Sequence, residues 1–423
     1  MKPLKIGILG LGTVGGGLLE IAMGNGPLSK MVEIIGVSAR NKARKRPMDI
    51  SHIAWFDDPI ELAKHEEIDV IVELMGGADG PAKAAVEAAL KAKKHVVTAN
   101  KALLSAHGPS LAKIASENNV EILYEAAVAG GIPIVKALRE GLAANEVKAI
   151  KGVMNGTSNF ILTEMAKTGR AFGDVLKEAQ MLGLAEADPT LDINGGDAGH
   201  KLALLCAIAF NGVPLFGEIE LEGIERVEPV DLESAKFLGF AVKLIASASV
   251  ENNQLAQSVR PSLVSLSNPL AQLDGALNAV LIEAKPVGTL TFIGSGAGAG
   301  PTASAVAADL VDLYYGAIRP VFAGSNINRD KIEIAPKKSL NSKFYVRFNV
   351  ADRPGVIAKI SDTLARHQVS IESFLQKPPS NKDNVGIVLT TQKSNETVLI
   401  EALNELSNFD EFVEKPFIMP IID

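Results

Sequence analysis

Residues 5–15 read KIGILGLGTVG, and this stretch decides the fold of the 423-residue chain. KIGIL is a short β-branched and leucine run of the kind that forms a buried strand, and Gly10, Gly12 and Gly15 follow it as G-x-G-x-x-G. The pattern is informative only where a strand ends and a helix opens, and here an apolar helical pattern runs from 14 to about 23. In that setting the first glycine permits the tight turn, the second lets the backbone approach a pyrophosphate, and the third lets helix and strand pack closely. The helix N-terminus then faces the phosphates with unpaired N–H groups. A glycine-rich turn without a ligand is the competing reading.

Outward from this turn, βα units repeat. VEIIGVSA, DVIVELMG and HVVTAN read as strands, with an alanine-rich helix at about 81–91 between the last two. Such short apolar runs belong to a parallel sheet covered by helices on both faces. Residues 131–302 change character toward α+β and close on GSGAGAGPTAS. The apolar helix that begins near 303 is expected to return to the first domain, and a stretch without periodicity follows it. Residues 344–423 alternate as βαββαβ, a ferredoxin-like arrangement. The expected fold is therefore α/β: a Rossmann-type doubly wound dinucleotide-binding domain, an α+β catalytic and dimerisation domain, and a small C-terminal module. The expected boundaries are 1–130 plus 303–330, 131–302, a linker at 331–343, and 344–423.

Composition sets the outer limits. Apolar residues make up 47% and charged residues 22%, which describes a globular chain, not a disordered or collagenous one. The longest apolar run, residues 202–210, is too short to span a bilayer. No export signal is visible, so the chain is expected in the cytoplasm. A single cysteine, Cys206, rules out an internal disulfide, and a net charge of −7 gives no general attraction to nucleic acid or anionic lipid.

Charge-bearing residues cluster at three places. Where an NAD enzyme usually carries an acidic residue after the second strand, this chain has Val37, Ser38, Ala39 and Arg40. Arg40, with Lys42, Arg44, Lys45 and Arg46 behind it, suits the 2′-phosphate of NADP(H), and NAD(H) is the second choice. A solvated basic loop is the alternative. Lys101 follows HVVTAN at the carboxyl edge of the sheet, where ligands of such folds bind, although a lysine there is often only a solvated charge. The densest cluster places Glu186, Asp188, Asp192 and Asp197 just before an apolar helix that carries Lys201. Asp197 and Lys201 share a helix face. Excess carboxylate suits an ammonium-bearing substrate and a lysine among carboxylates suits a proton donor, while a capped helix start with an intrahelical ion pair explains the same spacing equally well.

The run A-x3-G-L-A-x2-D-P-x2-D-I-x-G-x-D-x3-K at 179–201 resembles the homoserine dehydrogenase signature. GLGTVG, TANKALL, EAAVAGGIP, NGTSNFIL and GAGAGPTASAV resemble that family's other blocks in order, over about residues 5–320. Residues 344–423 resemble an ACT domain, with DRPGV at its first turn. The resemblance implies NAD(P)H-dependent interconversion of L-aspartate 4-semialdehyde and L-homoserine, on the way to threonine, methionine and isoleucine. It makes Lys201 the catalytic proton donor and Lys101 a lysine near carbonyl and nicotinamide. Glu186 and Asp197 become substrate-binding carboxylates, with Asp192 a further candidate. Leu11, Thr13, Val14 and Gly298 join Gly10, Gly12, Gly15 and Arg40 as cofactor contacts. Glu125 and the carbonyls of Val128, Gly130 and Ile132 become candidate sodium ligands. The resemblance further implies a homo-oligomer, a dimer or tetramer, and an amino-acid effector, threonine, at the ACT domain, where the Gly355 turn and the following helix N-terminus suit a carboxylate.

Cys206 lies inside LALLCAIAF and is expected in the core, which disfavours thioester chemistry. The six histidines show no zinc spacing, and His200 is expected to be structural. Two other functions fit part of the sequence: another NADP-dependent amino-acid or semialdehyde reductase, which should lack the 186–201 signature, and a non-catalytic amino-acid sensor, against which both lysines argue.

Overall fold

The structure is a computed structural model that describes residues 1–210, 212–317, 320–322, 332–376 and 384–423. In chain order the first elements are β1 (Leu4–Leu9), α1 (Thr13–Met23), β2 (Val32–Ser38), β3 (Ala54–Trp55), α2 (Pro59–Lys64), β4 (Val70–Glu73), α3 (Pro81–Lys91), β5 (His95–Thr98), α4 (Lys101–Asn118) and β6 (Ile122–Leu123). Then come α5 (Ile134–Lys136), β7 (Glu146–Val153), α6 (Gly156–Thr168), α7 (Phe172–Met181), α8 (Thr190–Ile193), α9 (Gly196–Ala209), β8 (Glu220–Leu221) and α10 (Pro229–Phe237). The long strands β9 (Phe240–Glu251), β10 (Gln254–Ser265), β11 (Leu277–Lys285) and β12 (Gly288–Ser295) precede α11 (Ala299–Tyr315) and β13 (Glu333–Ile334). Last come β14 (Asn341–Ala351), α12 (Val356–Arg366), β15 (Ile371–Gln376), β16 (Asn384–Thr391), β17 (Ser394–Asn395), α13 (Glu396–Leu406) and β18 (Phe417–Ile422).

The chain divides into two compact units: residues 1–150, 197–219 and 277–332, and residues 151–196, 220–276 and 333–423. This division cuts through the expected 131–302 segment and groups the C-terminal module with part of it.

The first unit holds a parallel sheet ordered β3-β2-β1-β4-β5-β6. This is the doubly wound order, whose ligand crevice lies past the carboxyl ends of β1 and β4, where the winding reverses. Ile6, Ile8, Val70, Val72 and Val97 are buried because helices cover both faces. The expected return of the 303–315 helix is present: Ala303, Val306, Leu310 and Leu313 of α11 join Leu18, Leu19 and Ala22 of α1 in one core. Of the expected linker at 331–343, residue 331 lies outside the described residues, as do residues 323–330 before it. Glu333 and Ile334, expected in the linker, instead pair with Gln254 and Leu255.

The second unit carries a sheet ordered β9-β10-β18-β14-β16-β15. Its β9–β10 hairpin turns at Asn252 and Asn253, both at positive φ (49° and 61°). Two left-handed residues match the hairpin to the twist of its strands, and asparagine tolerates that region. The C-terminal part has the expected order βαββαβ, with α12 and α13 packed over Phe344, Val346, Phe348 and Leu389. Residues 377–383, between β15 and β16, lie outside the described residues.

Candidate active site

The turn between β1 and α1 has the geometry its glycines require. Gly10 sits at φ +98°, and a Cβ there would lie 2.6 Å from the Leu74 carbonyl oxygen at the end of β4. A Cβ on Gly15 would lie 2.2 Å from the Gly10 carbonyl oxygen. Around Gly12, by contrast, a Cβ would meet nothing within 4 Å. Gly12 is also the N-cap of α1, with no side chain capping the helix and no acidic residue in the first turn. Open space over an uncapped helix N-terminus is a cradle for a pyrophosphate, so the residues present fit a dinucleotide. Gly298 likewise begins α11 without a side-chain cap, at φ +121°.

Arg40 is exposed just past β2, next to the buried Ser38. The other cations of the loop are not equivalent to it. The Arg46 guanidinium folds back to donate to the carbonyls of Asn41, Lys42 and Arg44 and lies 5.4 Å from the Trp55 ring centroid. Lys42 lies 5.7 Å from the same ring. Arg46 therefore shapes the loop that presents Arg40.

At the carboxyl edge, Lys101 is the first residue of α4, and the Asn100 side chain caps that helix by accepting from Leu103 N–H. Asn100 also donates to the Gly77 carbonyl at 2.7 Å. Glu73, fully buried at the end of β4, accepts from the Thr98 hydroxyl at 2.6 Å and from the Met75 and Gly76 amides. Glu73 thus ties the β4 and β5 edges together beneath Lys101. Sequence reading passed over Glu73, although an acidic residue ending an apolar strand was a usable signal.

Asp197 joins both lysines. Its Oδ2 accepts from Lys201 Nζ at 2.6 Å, one turn along α9, and its Oδ1 lies 3.1 Å from Lys101 Nζ. Lys201 is buried at 8% exposure, and its side chain leaves an apolar helix. The expected intrahelical pair is present, but its carboxylate also takes a lysine from α4. His200 points elsewhere, stacked on Phe216 with centroids 4.0 Å apart. Burial and then the Lys101 charge hold its imidazole below the ordinary range. Cys206 is buried, and burial pushes its thiol up, which removes it as a nucleophile.

In the second unit, Asp192 is half-buried in α8, and Asn155 and Ser158 hold it. Asn155 Nδ2 donates to Asp192 Oδ1 at 2.7 Å, and the Ser158 hydroxyl donates to the Asp192 carbonyl at 2.6 Å. Asn155 Oδ1 simultaneously caps α6 through Ser158 N–H. An Asn opening a helical run marks an N-cap in sequence, but its second partner is legible only in space. Glu186 is exposed in the preceding loop, whose Glu186 and Ala187 carbonyls accept from Gln180 Nε2 at 3.2 and 3.4 Å. Asp188 instead caps the next turn: it accepts from the Thr190 hydroxyl and amide, and both bonds lower its carboxyl.

Glu125 is buried in the first unit, and its two oxygens accept from the amides of Val135 and Lys136 at 2.9 and 2.8 Å. Burial pushes its carboxyl up to about 7. The Glu125 amide donates to Asp309 Oδ2, and Asp309 Oδ1 is buried without a hydrogen-bond partner. The Ile132 carbonyl accepts from Ile134 N–H, and Gly130 packs against Gly296. Glu125 and the Val128, Gly130 and Ile132 carbonyls belong to one short segment, in which both Glu125 oxygens and the Ile132 carbonyl already accept backbone amides. Among the described residues no group of three or more His, Cys, Asp or Glu side chains is arranged to hold a metal.

Comparison with known proteins shows the family. The model of the homoserine dehydrogenase NAD-binding domain matches residues 10–125, that of homoserine dehydrogenase matches 133–311, and that of the ACT domain matches 344–411. Homoserine dehydrogenase of Neisseria gonorrhoeae is 43% identical over 99% of this chain and 98% of its own length, and that of Bacillus subtilis is 34% identical over 97% and 96%. The crystal structure of a homoserine dehydrogenase from Thiobacillus denitrificans superposes with a TM-score of 0.92 at 39% identity, covering 100% of this chain and 99% of that one. A hyperthermophilic archaeal homoserine dehydrogenase in complex with NADPH superposes with a TM-score of 0.65 at 28% identity, over 75% of this chain and 99% of its own. Identity at this level over nearly the full length, with family models that cover the nucleotide-binding, catalytic and C-terminal segments, places the chain in the homoserine dehydrogenase family, as an oxidoreductase with a nicotinamide-binding domain and an ACT domain.

Proposed function

We propose that this chain reduces L-aspartate 4-semialdehyde to L-homoserine with NADPH in preference to NADH, and that Lys201 gives the proton. The observation that carries the reading is Asp197 holding both Lys101 and Lys201. When bound, NADPH supplies the hydride that adds to the aldehyde carbon. Lys201 Nζ, aligned by Asp197 and largely withdrawn from water, donates its proton to the carbonyl oxygen as charge builds there. Lys101, fixed at the N-terminus of α4, adds a second positive charge. Glu186 and Asp192 are the proposed partners of the substrate ammonium, with Asn155 holding Asp192 in one rotamer. Arg40 is the proposed contact for the 2′-phosphate, in a loop braced by Arg46. Glu125, with the carbonyls of Val128, Gly130 and Ile132, is the proposed sodium site. The ACT domain is the proposed seat of control by a small amino acid, threonine by family resemblance, and of homo-oligomer formation. A cytoplasmic location suits a chain whose one cysteine is a buried core residue.

The test is semialdehyde-dependent loss of NADPH absorbance with the purified full chain, repeated with NADH. Turnover with NADPH and weaker use of NADH is expected. Absence of semialdehyde-dependent oxidation with either cofactor would overturn the reaction, and a preference for NADH would overturn the role of Arg40.

A further inference from the structure

Lys243 is the one charged residue between positions 240 and 250 of β9, and it is buried, as are Val242 and Leu244 beside it. Successive strand residues point to opposite faces, so the strand is covered on both and an ammonium there is costly. Burial pushes that ammonium from an ordinary 10.5 down to about 8. The two charges that act on it oppose each other, Asp274 raising it and Lys167 lowering it, and these two pair with one another at 3.2 Å nearer the surface. Lys243 Nζ itself donates to uncharged oxygens, Asn159 Oδ1 at 3.1 Å and the Leu273 carbonyl. The proposed reaction makes no direct use of this lysine.

Those two bonds bear on the first turn of α6. With Oδ1 turned to Lys243, the buried Asn159 amide has one orientation left, in which Nδ2 donates to the Leu273 carbonyl at 3.2 Å and the Gly275 carbonyl at 2.8 Å. The same stretch meets α6 again at Gly156, where a Cβ would lie 2.8 Å from the Ala276 carbonyl oxygen. Residues 273–276 are therefore clamped to α6 at two points one helical turn apart. Asn155 and Ser158, which hold Asp192, belong to that turn.

We propose that Lys243 is a positioning residue for Asp192: its ammonium locks Asn159 and residues 273–276 against the first turn of α6, so that Asn155 and Ser158 present the Asp192 carboxylate in one place. The proposal rests on the reading of Asp192 as a partner of the substrate ammonium. An apolar side chain would fill the space without donating to either oxygen, whereas an ammonium carries three donors and ties two elements at once. Lys243 touches no reacting atom, so its loss is felt where the substrate is held and not in the proton transfer.

The test is steady-state kinetics of the full-length enzyme with L-aspartate 4-semialdehyde and NADPH, for Lys243→Met, Asp192→Asn and the double variant. Methionine keeps much of the volume and removes the donor. Lys243→Met should raise KM for the semialdehyde about three- to tenfold, the scale of one hydrogen bond lost, with kcat and the KM for NADPH within about twofold of the wild type. Asp192→Asn should also raise KM, and the double variant should be no worse than Asp192→Asn, because the two residues act through one contact. Asn159→Asp keeps the shape but takes the donor from the Gly275 carbonyl; it should raise KM in the same way, and it decides the question if Lys243→Met does not fold. A changed melting temperature with an unchanged KM in Lys243→Met, or full additivity in the double variant, would make Lys243 structural only and overturn the proposal while the reading of Asp192 stands. An unchanged KM in Asp192→Asn would overturn that reading and the proposal with it.

Discussion

Lys101 Nζ lies 3.1 Å from Asp197 Oδ1, although the two residues come from different helices and distant parts of the sequence. Asp197 also accepts from Lys201, so one carboxylate fixes the positions of two ammonium groups. Lys201→Ala should leave NADPH binding within a few-fold while turnover falls about a hundred-fold or more, the usual scale for a lost general acid. Stopped-flow turnover and a fluorescence titration of NADPH check it, and a variant that keeps most of its activity would remove Lys201 from the mechanism. Asp197→Asn leaves both ammoniums without their shared counter-charge and should lower turnover by about ten- to a hundred-fold, from one or two charge-assisted bonds lost.

The substrate carboxylates should behave differently from the lysines. Glu186→Gln deletes a charge opposite the substrate ammonium and should mainly raise KM; an unchanged KM for the semialdehyde would count against it. Asn155→Ala removes both the α6 cap and the bond to Asp192. It should raise KM and also lower stability by about 1 kcal/mol, the usual effect of losing an N-cap. Denaturant unfolding alongside kinetics separates the two contributions.

Cofactor choice is read at Arg40. Arg40→Asp should weaken NADPH by about one to three kcal/mol, the scale of a charge-assisted contact, and affect NADH less. Equal losses for both cofactors would show that Arg40 supports the loop instead of reading the phosphate.

Glu125 gives a signed pH dependence. Burial raises its carboxyl from an ordinary 4.5 to about 7 and raises Asp309 beside it as well. Between those values the folded chain keeps a proton that the unfolded chain has released, so this group's contribution to stability falls as pH rises through the window. Glu125→Gln should therefore gain on the wild type between about pH 5 and pH 8 in sodium-free buffer. A cation bound at Glu125 favours the ionised form, so sodium should reduce that gain in the wild-type comparison. Unfolding curves of the two proteins that run parallel across the window would remove Glu125 from the pH dependence.

Truncating the ACT domain is a poor test of its role, because it is packed into the second unit through buried charges. Arg347 Nε lies 2.9 Å from Asp231 Oδ1, and Tyr345 donates to the same carboxylate at 2.8 Å. Arg260 pairs with Glu396. Removing residues 344–423 would leave Asp231 and Arg260 without these partners, a destabilisation unrelated to control.

The sequence by itself determined the doubly wound sheet, the glycine turn, the βαββαβ module and the Asp197–Lys201 pair. Each depends on local periodicity or spacing: a strand that opens a helix at Gly10, Gly12 and Gly15, an alternation that survives in Phe344, Val346 and Phe348, and two residues one helical turn apart. Tertiary structure alone decided that Asp197 also takes Lys101, that Glu73 ties two strand ends beneath that lysine, that Asn155 holds Asp192, and that Arg260 gathers carboxylates from β8, the turn after it and α13. These contacts join residues far apart in the chain, and the energy of a buried charge depends on which partners the fold brings to it, which no spacing in the sequence encodes.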